Sequence, residues 1–322
     1  MSAVAKAELH VHLEGTAPPE LVSRIAARNG VDLPERLLGT DGRFRYTDFL
    51  DFLATYDLAA SVMRTGEDYR DITYEYLCSC ASGGAVYVEL TASPDHAALV
   101  GLSDEEHMDG IARGIDDARR DARIEGRILT SAVRNFGVEQ AVRVARYTAR
   151  RPHPYVVGFS MAGDEAGFPA GEFVEAYAIV AAAGLGCTIH AGEWAGADSV
   201  HAALSLPVSR ISHGVRAIED PAVVSELAER EIVLECCPTS NVVLGVYPSY
   251  EEHPLPALRA AGVPVTLGSD DPPYFGATIA GEYEVCSSRM GFSDDVLREI
   301  TRTAIDAAFC DDDLRAELHA RV

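Results

Sequence analysis

The chain is poor in basic residues, has no CxxC motif and has no long apolar run, and each shortage excludes a class of protein. Lysine and arginine number 27 against 50 aspartates and glutamates, which gives a formal net charge of −23. So acidic a protein repels nucleic-acid phosphates and anionic membrane surfaces, and we expect neither as a partner. The seven cysteines are scattered, which indicates neither a disulfide framework nor a thiolate metal site.

Segments that would direct the chain to or across a membrane are also missing from the sequence. No apolar run approaches the roughly 18 residues of a membrane span. The N-terminal stretch MSAVAKAELHVHLEG has no apolar segment of signal-peptide type. We therefore expect a cytoplasmic protein, whose oligomeric state the sequence leaves open.

Short apolar or β-branched runs alternate with helical patterns along the chain. The runs are nearly continuous in apolar residues, as in strands that are covered on both faces. Strands that alternate with helices predict a parallel sheet, and eight of them predict an α/β fold closed into a (β/α)8 TIM barrel. An open doubly wound sheet is the alternative, although no GxGxxG or GxxxxGK[ST] follows a strand. The runs cover residues 7–11, 86–92, 127–133, 156–162, 185–191, 210–215, 232–237 and 263–269.

The segment between the first two runs is longer than the other connections. Helical patterns over Pro19–Asn29, Thr47–Met63 and Glu67–Ser82 fill it. An insertion after a barrel strand lies at the catalytic face and can cover the site. Further helical patterns follow the eighth run. Because no linker or break in composition occurs, we expect residues 1–322 to form one domain.

His10 and His12 lie two residues apart at the end of the first run. Alternate side chains of a strand point to the same face, so the two imidazoles share one side. Two such imidazoles suit a metal site. Alone, they are more typical of two histidines that are packed or hydrogen-bonded at the end of a strand.

Three other strand ends carry metal-binding or titratable side chains. HAGE places His190 and Glu193 after the fifth run, and SHG places His213 after the sixth. SDDP places Asp270 and Asp271 after the eighth run. In a closed barrel all of these meet His10 and His12 at the carboxyl ends of the strands, where barrel active sites lie.

The residue types select a metal and a reaction class. Three imidazoles and a carboxylate suit Zn²⁺ with a position left for water, whose pKa the ion lowers to about 7. Glu193, His213 and Asp271 remain as candidate acid, base and orienting groups. No lysine at a strand end offers a bridge for a second ion, so we expect one Zn²⁺ per chain.

The motifs AELHVHLEG, GDEAG, HAGE, SHG, CPTSN and SDDP occur in this order. In order and spacing they resemble the adenosine deaminase family of the amidohydrolase superfamily. The resemblance runs from His10 to about Phe309 and is most specific between Gly184 and Glu282. The H-x-E…P-C-x-x-C signature of other zinc deaminases is not found.

The resemblance implies specific roles for these residues. Glu193 would donate a proton to purine N1, and His213 would orient the zinc-bound water and take its proton. Asp271 would hydrogen-bond purine N7 and the attacking oxygen, and the backbone N–H of Gly163 would meet N3. The implied Zn²⁺ ligands are His10, His12, His190 and Asp270.

The substrate implied by the resemblance is a 6-aminopurine, and position 14 bears on which one. Glu14 replaces the Asp that many adenosine deaminases place near the ribose 5′-hydroxyl, whereas HLEGT also resembles adenine deaminases. VELTASPDH and FLATYD look more like the nucleoside enzymes. We therefore expect hydrolysis of adenosine or 2′-deoxyadenosine to the inosine product and ammonia, with adenine or an N6-substituted adenine as the alternative substrate.

Two other hypotheses about the function stay open. The chain could be a catalytically silent barrel that binds a purine, but none of His190, Glu193, His213 and Asp270 is missing. It could instead hydrolyse a phosphotriester or cyclic amide, although relatives that do so usually need a bridging lysine. Outside the main motifs, we expect a loop or helix-cap role for His253. Ser240 and Asn241 lie either beside the site or in a simple turn.

Overall fold

The computed structural model describes residues 4–322, in which nine parallel strands form two sheets. The five-stranded sheet has the order β1-β2-β3-β4-β5 and the four-stranded sheet the order β6-β7-β8-β9. The strands are β1 Lys6–Glu8, β2 Ala85–Ala92, β3 Glu125–Val133, β4 Val156–Ala162, β5 Gly186–Cys187, β6 His190–Ala191, β7 Arg210–His213, β8 Val233–Cys236 and β9 Val265–Leu267.

Backbone hydrogen bonds join the two sheets at both edges. β5 and β6 are the halves of the predicted fifth strand, and the Thr188 N–H between them donates to the Phe159 carbonyl of β4 at 3.0 Å. At the other edge, the Asp270 N–H donates to the His10 carbonyl at 3.2 Å and the His12 N–H donates to the Asp270 carbonyl at 3.0 Å. The predicted (β/α)8 barrel is therefore confirmed.

The first strand is shorter than predicted. Its regular pairing with β2 ends at Glu8, and the register already shifts between Lys6 and Ala7. Beyond it, Val11 and His12 pair through isolated bridges to Asp270 and Thr91. The chain thus stays between two neighbouring strands and is joined to each of them by a single bridge.

Helices cover the outside of the barrel and extend it at the predicted places. The predicted helices are present to within a few residues. Three short helices, over Pro94–Leu99, Pro238–Val243 and Pro272–Phe275, were not predicted. Each begins with proline within five residues of the end of a barrel strand, because proline suits the first turn of a helix. The helices are α1 Pro19–Asn29, α2 Phe49–Ala60, α3 Gly66–Ser82, α4 Pro94–Leu99, α5 Asp104–Ala122, α6 Val138–Ala149, α7 Val174–Ala182, α8 Ala197–Ala203, α9 Pro221–Glu229, α10 Pro238–Val243, α11 Leu255–Ala260, α12 Pro272–Phe275, α13 Ile279–Ser288, α14 Asp294–Ala307 and α15 Asp312–His319.

The amino-terminal end of the barrel is filled by an ion pair and an aromatic ring. The buried guanidinium of Arg210 lies 2.6 Å from Glu89 and 2.7 Å from Glu235. The ring of Phe309 lies 3.6 Å from that guanidinium. A Cβ at Gly186 would lie 2.3 Å from the same ring, so glycine is needed there. The carboxyl ends of the strands are thus left to form the site.

Helices long and apolar enough to cross a membrane were searched for over residues 4–322, and none was found.

Candidate active site

Four donor atoms from three parts of the barrel converge at the carboxyl ends of the strands. His190 Nε2 lies 3.2 Å from His10 Nε2 and 3.1 Å from His12 Nε2. Asp270 Oδ1 lies 3.4 Å from the Nε2 atoms of both His10 and His12. Donors that each lie about 2.0–2.1 Å from a tetrahedral ion would be about 3.3 Å apart. The spacing therefore fits a single metal ion.

Hydrogen bonds to backbone carbonyls orient two of these imidazoles. His10 Nδ1 lies 3.1 Å from the Glu235 carbonyl, and His190 Nδ1 lies 2.9 Å from the Met161 carbonyl. A carbonyl can only accept, so each Nδ1 carries the proton and each Nε2 presents a lone pair to the cluster. This arrangement is typical of histidines that bind metals.

Asp270 is held as an ionised carboxylate at the centre of the cluster. Ser240 Oγ donates a hydrogen bond to Asp270 Oδ2 at 2.6 Å, which leaves Oδ1 facing His10 and His12. Burial raises the pKa of Asp270, but the imidazoles of His10 and His12 beside its Oδ1 outweigh burial and hold the pKa well below its usual range. Its backbone adopts a φ of 63°, a left-handed conformation that is rare outside glycine and concentrates at functional sites.

Glu193 lies beside the cluster in a loop that one carboxylate organises. Glu165 accepts hydrogen bonds from the backbone N–H groups of residues 192–195. Burial raises the pKa of Glu193 well above its usual range, and the negative charges of Asp270 and Glu165 raise it further. Burial and these charges therefore favour the protonated form of Glu193, which is suited to act as an acid.

Asp271 points into the pocket next to Asp270. It is 3% exposed, and within residues 4–322 its Oδ1 has no hydrogen-bond partner. Burial, followed by the charges of Asp270, Glu193 and Glu14, raises its pKa well above the usual range. A buried oxygen without a partner in the protein is available to a bound molecule.

His213 occupies the opposite side of the cluster at the end of β7. Its Nε2 lies 3.6 Å from Glu193 Oε2 and 3.8 Å from Asp270 Oδ2. Its Nδ1 lies 3.2 Å from the side-chain nitrogen of Asn241. Burial lowers the pKa of His213 to about 3, so the ring is neutral.

A pocket opens from the cluster toward the helices of the insertion. Glu14 lies at its wall, in a short 3-10 helix rather than on a strand, and is 2% exposed. The Ser93 N–H donates to Glu14 Oε1 at 2.9 Å, and the Tyr56 hydroxyl donates to Glu14 Oε2 at 3.2 Å. Ser93, directly after β2, and Tyr56 of the inserted helix α2 therefore fix this carboxylate.

Aromatic side chains and one ion pair surround the rest of the pocket. Phe49 lines the pocket, and its ring lies 4.6 Å from the ring of Trp194. His96 Nε2 lies 2.9 Å from Asp57 Oδ1. Gly163 lines the pocket with a φ of 104°, and a Cβ there would lie 2.4 Å from Asn135 Oδ1, so the close approach requires glycine.

The structure brings together every site residue predicted from the sequence. His10, His12, His190 and Asp270 form the donor cluster, and Glu193, His213 and Asp271 border it. Glu14 and Gly163 line the adjoining pocket. Glu165, Tyr56 and Ser93 were missed as supporting residues, although Glu165 lies within the GDEAG motif. The expectation of a loop or helix-cap role for His253 is incomplete, because its buried ring also contacts Asn241 at 3.0 Å.

Comparison with known proteins identifies the family. The sequence profile named Adenosine deaminase matches residues 5–322. An adenine deaminase from Chelativorans sp. (strain BNC1) is 49% identical over 319 residues, which cover 98% of this chain and 97% of that protein. An adenine deaminase from Mesorhizobium japonicum is 48% identical over 98% of both chains.

Solved structures agree with the sequence comparison. The crystal structure of adenine deaminase from Arthrobacter aurescens superposes with a TM-score of 0.91 at 31% identity, covering 99% of this chain and 98% of the other. The crystal structure of an amidohydrolase from Burkholderia ambifaria with bound Zn superposes with a TM-score of 0.86 at 26% identity. The match covers 99% of this chain and 89% of the other. The chain therefore belongs to the adenosine deaminase family, whose members are metal-dependent amidohydrolases that act on purine amino groups.

Proposed function

We propose that this protein hydrolyses adenine to hypoxanthine and ammonia, using one Zn²⁺ per chain. Water adds to C6 of the purine, and the C6–N6 bond then breaks with loss of ammonia. The observation that carries the choice of substrate is the similarity to adenine deaminases, which extends over nearly the full length of both chains at 45–49% identity. This observation favours adenine, the alternative substrate in the sequence analysis, over adenosine, the expected one.

The surroundings of Glu14 support a free base. Adenine has an N–H on its imidazole ring where adenosine carries ribose, and a buried N–H needs an acceptor. Glu14 offers a carboxylate in the pocket whose position Tyr56 and Ser93 fix. We assign Glu14 to this N–H in place of the ribose 5′-hydroxyl that the resemblance implied.

The donor set supports zinc. Three imidazole nitrogens and one carboxylate oxygen are ligands that Zn²⁺ accepts, and no thiol lies among them. When bound there, the metal supplies a nucleophilic water at neutral pH. His10, His12, His190 and Asp270 would hold it.

The remaining residues act on the purine. Glu193, whose protonated form burial favours, donates a proton to N1, which lowers the electron density of the ring and makes C6 electrophilic. Asp271 lines the pocket, its Oδ1 has no hydrogen-bond partner within residues 4–322, and its carboxyl group pairs with N7. The backbone N–H of Gly163 lies at the pocket wall and donates to N3. The groups thus contact three ring nitrogens on different edges of the base.

A substrate panel tests the proposal. Ultraviolet absorbance would follow adenine, adenosine, 2′-deoxyadenosine, N6-methyladenine and guanine with the zinc-loaded protein. We expect kcat/KM for adenine to exceed that for adenosine by at least roughly 10²-fold. Ribose adds bulk and replaces the N–H that would donate a hydrogen bond to Glu14. A preference for either nucleoside would overturn the assignment of adenine and restore the ribose reading of Glu14.

A further inference from the structure

A chain of hydrogen bonds leads from a backbone amide to His213. The Leu255 N–H, at the start of α11, donates to His253 Nδ1 at 3.2 Å. His253 Nε2 lies 3.0 Å from Asn241 Oδ1, and the Asn241 side-chain nitrogen lies 3.2 Å from His213 Nδ1. The three side chains are 3%, 0% and 1% exposed, in this order, so water does not compete for these contacts.

The backbone N–H of Leu255 sets the direction of all the hydrogen bonds in this series. A backbone N–H can only donate, so His253 Nδ1 accepts and its proton resides on Nε2. That Nε2–H donates to the Asn241 carbonyl oxygen, which turns the amide NH2 toward His213. The amide NH2 also can only donate, so His213 Nδ1 accepts, and the proton of the neutral ring is on Nε2.

We propose that His253 and Asn241 are positioning residues that fix His213 as the Nε2–H tautomer, so that His213 donates a hydrogen bond to the reacting oxygen and does not take its proton. The Nε2–H faces Asp270 Oδ2, an oxygen of an ionised carboxylate, at 3.8 Å. An N–H is attracted to such an oxygen, whereas a nitrogen lone pair facing it would be repelled.

This inference corrects the role that the resemblance implied for His213. A neutral imidazole whose Nε2 already carries a proton cannot accept another there while Asn241 occupies Nδ1 as a donor. A preoriented donor instead stabilises negative charge that develops on the attacking oxygen. The proposal rests on the proposed deaminase function for the identity of that oxygen, but the tautomer itself does not depend on the substrate.

Nitrogen NMR on the zinc-loaded protein measures the tautomer directly. The protein would carry ¹⁵N-labelled histidine, and the His213→Gln variant would identify the resonances of His213. We expect a protonated, pyrrole-type Nε2 and an unprotonated, pyridine-type Nδ1. The reverse pattern, with the proton on Nδ1, would overturn the proposal. Because no substrate is present, this result is independent of the substrate panel.

Two variants test the consequence for catalysis. Asn241→Asp keeps the size of the side chain but replaces the donor NH2 with an acceptor oxygen, so His213 Nδ1 becomes protonated. We expect kcat to fall by roughly 10²-fold, the lower range for a positioned acid–base group, with unchanged KM and zinc content. His253→Leu removes the donor to Asn241, whereas His253→Gln retains an NH2 that can donate to it and should restore most of the kcat that is lost in His253→Leu.

A matched control separates this effect from a loss of stability. Thr301 is buried and its hydroxyl contacts the Tyr283 hydroxyl at 2.8 Å, on α14 and away from the pocket. Thr301→Val should lower the melting temperature without changing kcat. A fully active Asn241→Asp variant, or a His253→Gln variant with no higher kcat than His253→Leu, would contradict the proposed positioning of His213.

Discussion

The absence of a side chain at Gly15 allows Asp271 to occupy its place in the pocket. A Cβ added at Gly15 would lie 1.7 Å from Asp271 Oδ1 and 3.0 Å from the ring of Tyr56. These distances are far below van der Waals contact. The glycine of the HLEG motif therefore leaves room for a carboxylate that lies more than two hundred residues later in the chain.

Gly15→Ala should displace Asp271 while leaving the metal cluster intact. A misplacement of about 1 Å can cost roughly 10²-fold in rate, and we expect a loss of kcat/KM of that order. Gly171→Ala is the matched control, because a Cβ there meets nothing within 4 Å. Steady-state kinetics and zinc analysis on both variants check this. An active Gly15→Ala would show that Asp271 does not need its present position.

The metal site makes a separate prediction. Purified protein should contain about one Zn²⁺ per chain, and a strong chelator should abolish turnover. His190→Ala should lose the metal, because His190 Nε2 lies within 3.2 Å of both other imidazole donors. Elemental analysis measures the content. Two ions per chain, or turnover that survives complete demetallation, would contradict a single catalytic ion.

The sequence predicted the reacting groups because they lie in short motifs at the ends of barrel strands. His190, His213 and Asp270 lie at the carboxyl ends of the predicted fifth, sixth and eighth strands, and a closed barrel brings such strand ends together whatever the details of packing. The pattern of apolar runs was enough to place them. It was not enough to find that β1 ends at Glu8, because isolated bridges rather than regular pairing hold the residues beyond.

The supporting residues could not be derived in the same way. Asn241 contacts His213 across 28 residues and His253 across 12, and neither spacing is a local pattern. Tyr56 reaches Glu14 from an inserted helix whose direction depends on tertiary packing. Amphipathic periodicity locates such a helix but does not indicate which of its side chains enters a pocket.

The raised pKa of the buried Glu282 carboxyl should make the free energy of unfolding depend on pH. Burial raises the pKa of Glu282 from an ordinary value near 4.5 to about 8, although the Thr239 N–H donates to its Oε2 and lowers it somewhat. Between these two pH values the native protein holds a proton that the unfolded chain has lost. The free energy of unfolding therefore falls as the pH rises through this range.

Glu282→Gln should remove this contribution. Relative to the unaltered protein, we expect the variant to gain roughly 1–3 kcal/mol in the free energy of unfolding on going from pH 5.5 to pH 8. Urea unfolding at the two pH values measures the difference. A difference that does not change with pH would mean that Glu282 is ionised in the native state.

Glu193→Gln tests the proton donor. The amide has nearly the same shape as the protonated carboxyl but cannot transfer a proton to N1, so we expect kcat to fall by roughly 10²–10⁴-fold. Zinc content should stay the same because Glu193 is not among the four converging donors. Glu172→Gln, on the outside of the barrel before α7, is the control and should keep full activity. Loss of zinc in stoichiometric amounts would make Glu193 a ligand, and an unchanged kcat would assign the proton transfer to another group.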